Sequence, residues 1–312
     1  MIEIFKTVEN RELITVDEIV KGSWVNMIAP TEAEINEVCV KLQLPLDFMK
    51  DPLDDEERPR IEREDDHLLL IVDYPYMTHD EAGSRIYETI PIGMIFTPDC
   101  FVTISLKDTP ILASFKNNKI KQFYTNKKTR FALQLLFEIS LYYLRYLKQI
   151  NKMTTESERE LHQSMKNKEL YTFLALEKSL VYFTTSLKSN KVVLDKILRF
   201  NYLKMYEEDK ELLEDVIIET NQAIEMTEVY ASILNGMMDA FASIISNNVN
   251  NAMKFLTSVT IILTLPTMVA SFFGMNVNLP FSHNQHAFMF TLMIALSLAG
   301  TVAFIFWKKK YF

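Results

Sequence analysis

Polar and apolar positions are spread unevenly along this chain, and the clearest pattern lies in its last third. Stepping alternately four and three residues from Ser232 reaches Gly236, Asp239, Ser243, Ser246, Asn250, Met253, Thr257, Thr260, Thr264, Thr267 and Ser271. Almost all are polar or small, whereas the neighbours from Phe255 onward (Leu256, Val259, Ile261, Ile262, Leu263, Leu265) are apolar. The pattern predicts one helix from Tyr206 to Phe273, about 100 Å long at the standard rise. Its segment Phe255 to Phe273, 19 residues without a charge, is long enough to cross hydrocarbon. A mean step of about 3.5 residues is the period of helices wound around one another, so the stripe faces other helices. If these are copies of the same helix around an axis, the stripe lines a polar channel. Back-bonding of the hydroxyls to the preceding turn, or adhesion between two helices, is the alternative. Five hydroxyls in register (Thr257, Thr260, Thr264, Thr267, Ser271), continued down to Asn250 and Asp239, favour the channel.

A second apolar run, Ala287 to Trp307, is stopped by Lys308, Lys309 and Lys310. Its Ala295, Ala299 and Ala303 recur every four positions with Gly300 among them, which suits close helix packing. Residues 274–286, between the spans, hold no Lys or Arg. The excess of lysine at Lys254 and at 308–310 predicts cytoplasmic termini and an outward loop, in a multi-pass protein of the cell membrane. No basic segment followed by an apolar run opens the chain, so no cleavable signal is expected.

The first half reads differently. Strand-like stretches occur at Ile2–Phe5, Leu13–Val16, Trp24–Ile28, Leu68–Tyr74, Ile86–Phe96 and Phe101–Leu106, and Thr31 with Glu34 forms a capping box for a helix to Leu42. A mixed sheet with helices packed on it, an α+β domain over residues 1–109, follows. The acidic run Asp51, Asp54, Asp55, Glu56, Glu57 is read either as a solvated loop or as a site for a hard divalent cation. From Ile111 to Leu265 there is no proline. Residues 110–205 are accordingly read as long helices (131–168, 169–189, 192–202) joined by polar turns at Lys166–Lys168 and Ser189–Lys191. Pro266 lies inside the first span, where neighbouring hydroxyls such as that of Thr264, or a mild bend, can make up for its missing N–H.

Composition narrows the function. A net charge of -8 argues against a nucleic-acid partner. Cys39 and Cys100 are read as free thiols. No nucleophile–base pairing, glycine-rich phosphate loop or metal-hydrolase spacing occurs, so an enzyme is not expected. A membrane-anchored scaffold is the remaining alternative to a transporter, although an anchor needs no polar stripe.

The tripeptide Gly274, Met275, Asn276 follows the first of two C-terminal spans. With the short outward loop, the lysine ending, Trp24 to Pro30 before a capped helix, and Arg58, Pro59, Arg60, Ile61, Glu62 after the acidic loop, the whole chain resembles the CorA magnesium transporter family. The resemblance implies a homopentameric funnel: residues 206–273 form the stalk and inner pore wall, 274–286 the outer loop, 287–307 an outer ring, and 308–312 a cytoplasmic basic tail. It implies a selectivity filter at Gly274, Met275 and Asn276, with Asn276 holding a hydrated ion. Asn250, Met253, Leu256, Thr260, Thr264 and Thr267 would lie along the conduction path, with Asp239 as an acidic ring below. A regulatory magnesium site shared between subunits would fall on Asp51 and Asp215. Mg2+ is then both cargo and regulator, with Zn2+, Co2+ or Ni2+ as alternative cargo. The loop departs from the family in lacking acidic residues and holding His283 and His286, whose spacing suits a softer metal. Thr264 stands where some members have a bulky apolar residue, which shifts closure toward Leu256 and Met253.

Overall fold

The computed structural model describes the chain except residues 9–11, 80–82, 84, 165–166, 201, 276, 278–285 and 310–312, and the side chains of 162–169. It falls into two units, Met1–Asn235 and Gly236–Phe312.

The first unit is built on a seven-stranded sheet. Its strands are β1 (Ile2–Thr7), β2 (Leu13–Thr15), β3 (Trp24–Ile28), β4 (Arg60–Glu64), β5 (His67–His79), β6 (Arg85–Phe96) and β7 (Phe101–Ser105), in the order β2-β1-β3-β7-β6-β5-β4. All pairs are antiparallel except β3 with β7. The parallel pair requires a crossover, supplied by α1 (Glu32–Leu42), α2 (Leu46–Lys50) and a 3-10 turn at Asp51–Leu53 before the chain returns through β4–β6. α1 begins as predicted: Thr31 accepts from the Glu34 backbone while Glu34 reaches back to the Thr31 N–H.

Both faces of the sheet are covered, which is why its central strands read as unbroken apolar runs. Val25, Met27, Leu69, Ile71, Ile95, Val102 and Ile104 meet Ile35, Val38, Phe48 and Met49 on one face. On the other, Trp24 packs edge-on against Phe131 at a ring separation of 5.0 Å, and Phe131 stacks in turn on Phe101 and Phe115. That side belongs to α3 (Pro110–Lys116), α4 (Lys128–Ser164) and α5 (Asn167–Phe200).

One strand, β4, is not foreshadowed by the sequence pattern, and one expected turn is absent. β4 carries one apolar residue, Ile61, and as an edge strand has no alternation to betray it. The turn expected at Ser189–Lys191 does not exist, because α5 runs through it. Ser189 donates back to the Thr185 carbonyl at 3.0 Å, and Asn190 is buried against β5. Its amide donates to the Asp73 carbonyl at 2.8 Å and accepts the Asp73 N–H at 2.9 Å. The register explains why. β6 flanks Asp73 on one side, but on the other β4 ends its pairing at Ile71, so no strand meets the Asp73 backbone there. Asn190 therefore takes the place of the missing neighbour strand: it satisfies the Asp73 N–H, which burial would otherwise leave unpaired, and shares the Asp73 carbonyl with the Tyr143 hydroxyl at 3.2 Å.

The longest element is α6 (Glu207–Phe273), 67 residues that pass from the first unit into the second, and α7 (Ala287–Lys308) follows it. Both are long and apolar enough to cross a membrane. Their bounds differ from the predicted 206–273 and 287–307 by one residue. Gly236, where the two units meet, has nothing within 4 Å of the position a Cβ would take, so packing within the chain does not demand a glycine there.

Candidate functional site

In the apolar segment of α6 burial is one-sided. Ser258 and Val269 are buried, and Ile262, Leu265 and Pro266 are partly covered. At about 100° per residue these fall opposite the polar stripe. Every member of the stripe is exposed, from Asp239, Asn250 and Met253 through Thr257, Thr260, Thr264, Thr267 and Ser271, as is Leu256. What a single chain covers on α6 is thus a side that is apolar but for Ser258, and the whole hydrophilic stripe is among what it leaves bare. α7 is likewise covered along one line, where Ala295 is buried and Thr291, Ala299 and Ala303 are partly so. Gly300, expected on that packing line, is instead exposed with no neighbour within 4 Å of a Cβ.

Three of the hydroxyls bond back to their own helix, the arrangement weighed as the alternative to a channel. Thr260 donates to the Leu256 carbonyl at 2.8 Å, Thr264 to the Thr260 carbonyl, and Thr267 to the Leu263 carbonyl at 3.1 Å. Thr264 therefore does not make up for the N–H missing at Pro266. Back-bonding and a water-facing role are compatible. Each hydroxyl has one proton, and once it is committed to the helix the oxygen presents only lone pairs outward. A row of acceptors is the surface that a hydrated cation, whose waters point their protons away from the ion, requires.

Past Phe273 the helical hydrogen bonding continues for one step, with the Gly274 N–H on the Ala270 carbonyl at 2.9 Å; Met275 then turns back to Phe272 at 3.2 Å. A Cβ on Gly274 would lie 3.3 Å from the Ala270 oxygen, a tight fit. Asn276 and His283 lie outside the described residues. His286 is exposed and precedes α7.

In the first unit the acidic run is neither a uniform solvated loop nor a set of converging ligands. Asp54, Asp55 and Glu56 are exposed, but Asp51 and Glu57 close on Arg60. The guanidinium uses three directions: Nη2 to Asp51 Oδ2 at 2.5 Å, Nη1 to Glu57 Oε1, and Nε to Glu62 Oε2 at 3.2 Å. Burial pushes the Asp51 carboxyl above its ordinary value, against the opposing pull of Arg60. The turn holding Asp51 is anchored through Pro52, buried directly over Gly93 of β6. A Cβ on Gly93 would strike the Pro52 ring and lie 2.8 Å from Ile104 Cγ2, so only glycine lets the turn seat on the sheet. Asp215, on α6, is exposed with no ion pair among the described residues. Among the described residues no group of three or more His, Cys, Asp or Glu side chains is arranged to hold a metal ion. In the sequence Arg60 stands out only as part of the family-like segment Arg58 to Glu62, with no role attached, and Gly93 does not stand out. A lone glycine inside a β-branched run was the available signal for the second.

The family model described as CorA-like Mg2+ transporter protein matches residues 21–310. The chain belongs to the CorA family. Members of this family are membrane transporters of divalent cations and not enzymes. The cobalt/magnesium transport protein CorA of Methanocaldococcus jannaschii is 27% identical over 299 residues, which are 92% of this chain and 90% of that protein. The protein of the same name from Thermotoga maritima is 20% identical over 314 residues, 98% of this chain and 88% of that one. The complete structure of the CorA magnesium transporter from Methanocaldococcus jannaschii superposes with a TM-score of 0.84 at 25% identity, covering 98% of this chain and 97% of that one. The CorA fold thus accounts for the mixed sheet, the long helix and the two C-terminal apolar helices together.

Proposed function

We propose that this CorA-family chain assembles as a homopentamer that admits Mg2+ into the cell, down its electrochemical gradient, through a path enclosed by five copies of α6. One observation carries the reading: the polar stripe from Asp239 to Ser271 is bare in a single chain and lies opposite the covered side of the span. Hydrophilic groups at membrane depth are tolerated where they line water or bury against protein, and five stripes around one axis provide the first.

Both termini are cytoplasmic in this reading, with Gly274, Met275 and Asn276 at the outer mouth. Mg2+ sheds water reluctantly. Amide oxygens at Asn276 and the outward lone pairs of Thr257, Thr260, Thr264, Thr267 and Ser271 hold it through its hydration shell. Such binding is weak and repeated, which permits exit as well as entry. Membrane potential, inside negative, drives the ion inward with about 2.3 kcal/mol per charge per 100 mV. Met253 and Leu256, both exposed on or beside the stripe, form the apolar constriction toward the cytoplasm.

Regulation falls to Asp51 and Asp215 of adjacent subunits, hard oxygen ligands that hold cytosolic Mg2+ and keep the stalk closed. When Mg2+ falls, the bare carboxylates repel and the assembly loosens. Co2+ is a second cargo, as the names of both relatives state for those proteins. Uptake into proteoliposomes with Mg2+, Co2+, Ni2+ and Zn2+ in competition tests the reading. Mg2+ entry that competes with Co2+ and is lost in Asn276→Ala is expected; entry unchanged in that variant would overturn the filter.

A further inference from the structure

Arg60 occupies the acidic loop in a way that a structural ion pair does not require. Its three hydrogen-bonding directions are each taken by a different carboxylate, those of Asp51, Glu57 and Glu62. All four side chains are part-exposed at the surface, and the two ends of the contact are fixed. Asp51 sits on the turn pinned by Pro52 over Gly93, and Arg60 is held opposite Ile71 in the sheet. Asp47, one turn earlier, adds a further negative charge to the field at Asp51.

We propose that Arg60 is a tethered cation that competes with the divalent ion for Asp51, and so sets how much cytosolic Mg2+ is needed to close the path. The proposal rests on the reading of Asp51 and Asp215 as the regulatory pair. Three carboxylates against one guanidinium leave the group net negative, so it still attracts a dication while Arg60 is in place. Arginine remains protonated at any physiological pH, so the competitor is always present. Its threefold grip makes the exchange feasible. When Asp51 turns to the dication, Arg60 keeps Glu57 and Glu62, and no charge is left unpaired, which is the usual penalty for breaking such a contact. An arginine paired with Asp51 alone would resist that transfer.

The test is inhibition of uptake by internal Mg2+ in proteoliposomes, comparing the full-length protein with Arg60→Gln, Arg60→Lys, Asp51→Asn and the double variant Asp51→Asn/Arg60→Gln. Loss of one positive charge a few ångströms from a dication at a surface site lowers the half-inhibiting Mg2+ concentration by about three- to tenfold. Arg60→Lys, which keeps the charge but not the fork, shifts it in the same direction by less, and decides the sign should the glutamine variant not assemble. In the double variant the Arg60 change has no further effect. If Asp51→Asn raises the midpoint while both Arg60 variants raise it or leave it unchanged, Arg60 merely supports the loop and the proposal fails while the regulatory pair stands. An unchanged midpoint in Asp51→Asn would remove the regulatory pair itself, and the competition with it.

Discussion

The two units use their polar side chains differently. In the first, although Thr154 and Thr227 bond back within their own helices, a set of buried polar groups ties one element to another. Trp24 donates to Thr103 and Thr103 to Asn26 across β3 and β7; Ser186 donates to Thr89 between α5 and β6; Ser140 and Thr220 join α4 to α6; Asn190 holds the backbone of Asp73. In the second, the hydroxyls of Thr260, Thr264 and Thr267 return to their own helix and face outward. Burying a polar group without a partner costs more than the bond itself is worth. The first unit is therefore complete as one chain, whereas the membrane segment of α6 carries a hydrophilic side that one chain leaves bare and that lipid would not solvate.

The sharpest way to break this contrast is to make the stripe apolar. In Thr260→Val/Thr264→Val/Thr267→Val, Mg2+ uptake falls by roughly a hundredfold, at about one lost hydrogen bond and fivefold per ring of hydroxyls. Three changes on the covered side, Ile262→Val, Leu265→Ile and Val269→Ile, leave uptake within about twofold, since volume-conserving apolar swaps are tolerated. Equal effects from the two triplets would erase the distinction between the sides.

On the cytoplasmic side the corresponding disruption is to stability. Asn190→Ala strands the N–H of Asp73 and leaves its C=O with only the Tyr143 hydroxyl, at a cost of about 1–3 kcal/mol, read as a lower unfolding temperature of the full-length protein in detergent. A variant as stable as the parent would mean that Asn190 is not a substitute for a strand.

The third effect depends on protons and is fully developed at neutral pH. Burial drives the Asp73 carboxyl up to about 6 from 3.8, with Ser186 pulling partly back. The folded form thus holds its proton at a higher pH than the unfolded chain does. Its contribution to stability is full below pH 3.8 and is lost as pH rises to about 6, a change of up to about 3 kcal/mol. Stability of the parent relative to Asp73→Asn therefore declines between pH 4 and pH 6.5 and is flat above. A constant difference would show the carboxyl to be solvated.

What the sequence made legible was periodic. A step of four and three along α6, an apolar run at α7, the Thr31–Glu34 box and the β-branched strands all act through neighbours a few residues away. What it concealed leaves no periodic trace. Ser189 and Asn190 look like a turn because nothing local reveals that β5 lacks a partner 117 residues earlier. β4 is charged because one edge is bare, and Arg60 gathers carboxylates from three separate positions along the chain. Gly300 fits a small-residue repeat yet lies off the covered line of α7, since the four-residue recurrence passes through Ala299 and Ala303.

Whether the stripe is wet is measured most directly by single cysteines in the apolar segment. With Cys39→Ser and Cys100→Ala as background, Thr260→Cys and Thr264→Cys are compared with Ile262→Cys in proteoliposomes exposed to a charged, membrane-impermeant thiosulfonate. Modification and block of Mg2+ uptake at Thr260 and Thr264, with Ile262 unreactive, is the predicted result. Unreactive threonine positions, or equal reactivity at all three, would contradict a water-filled path between copies of α6.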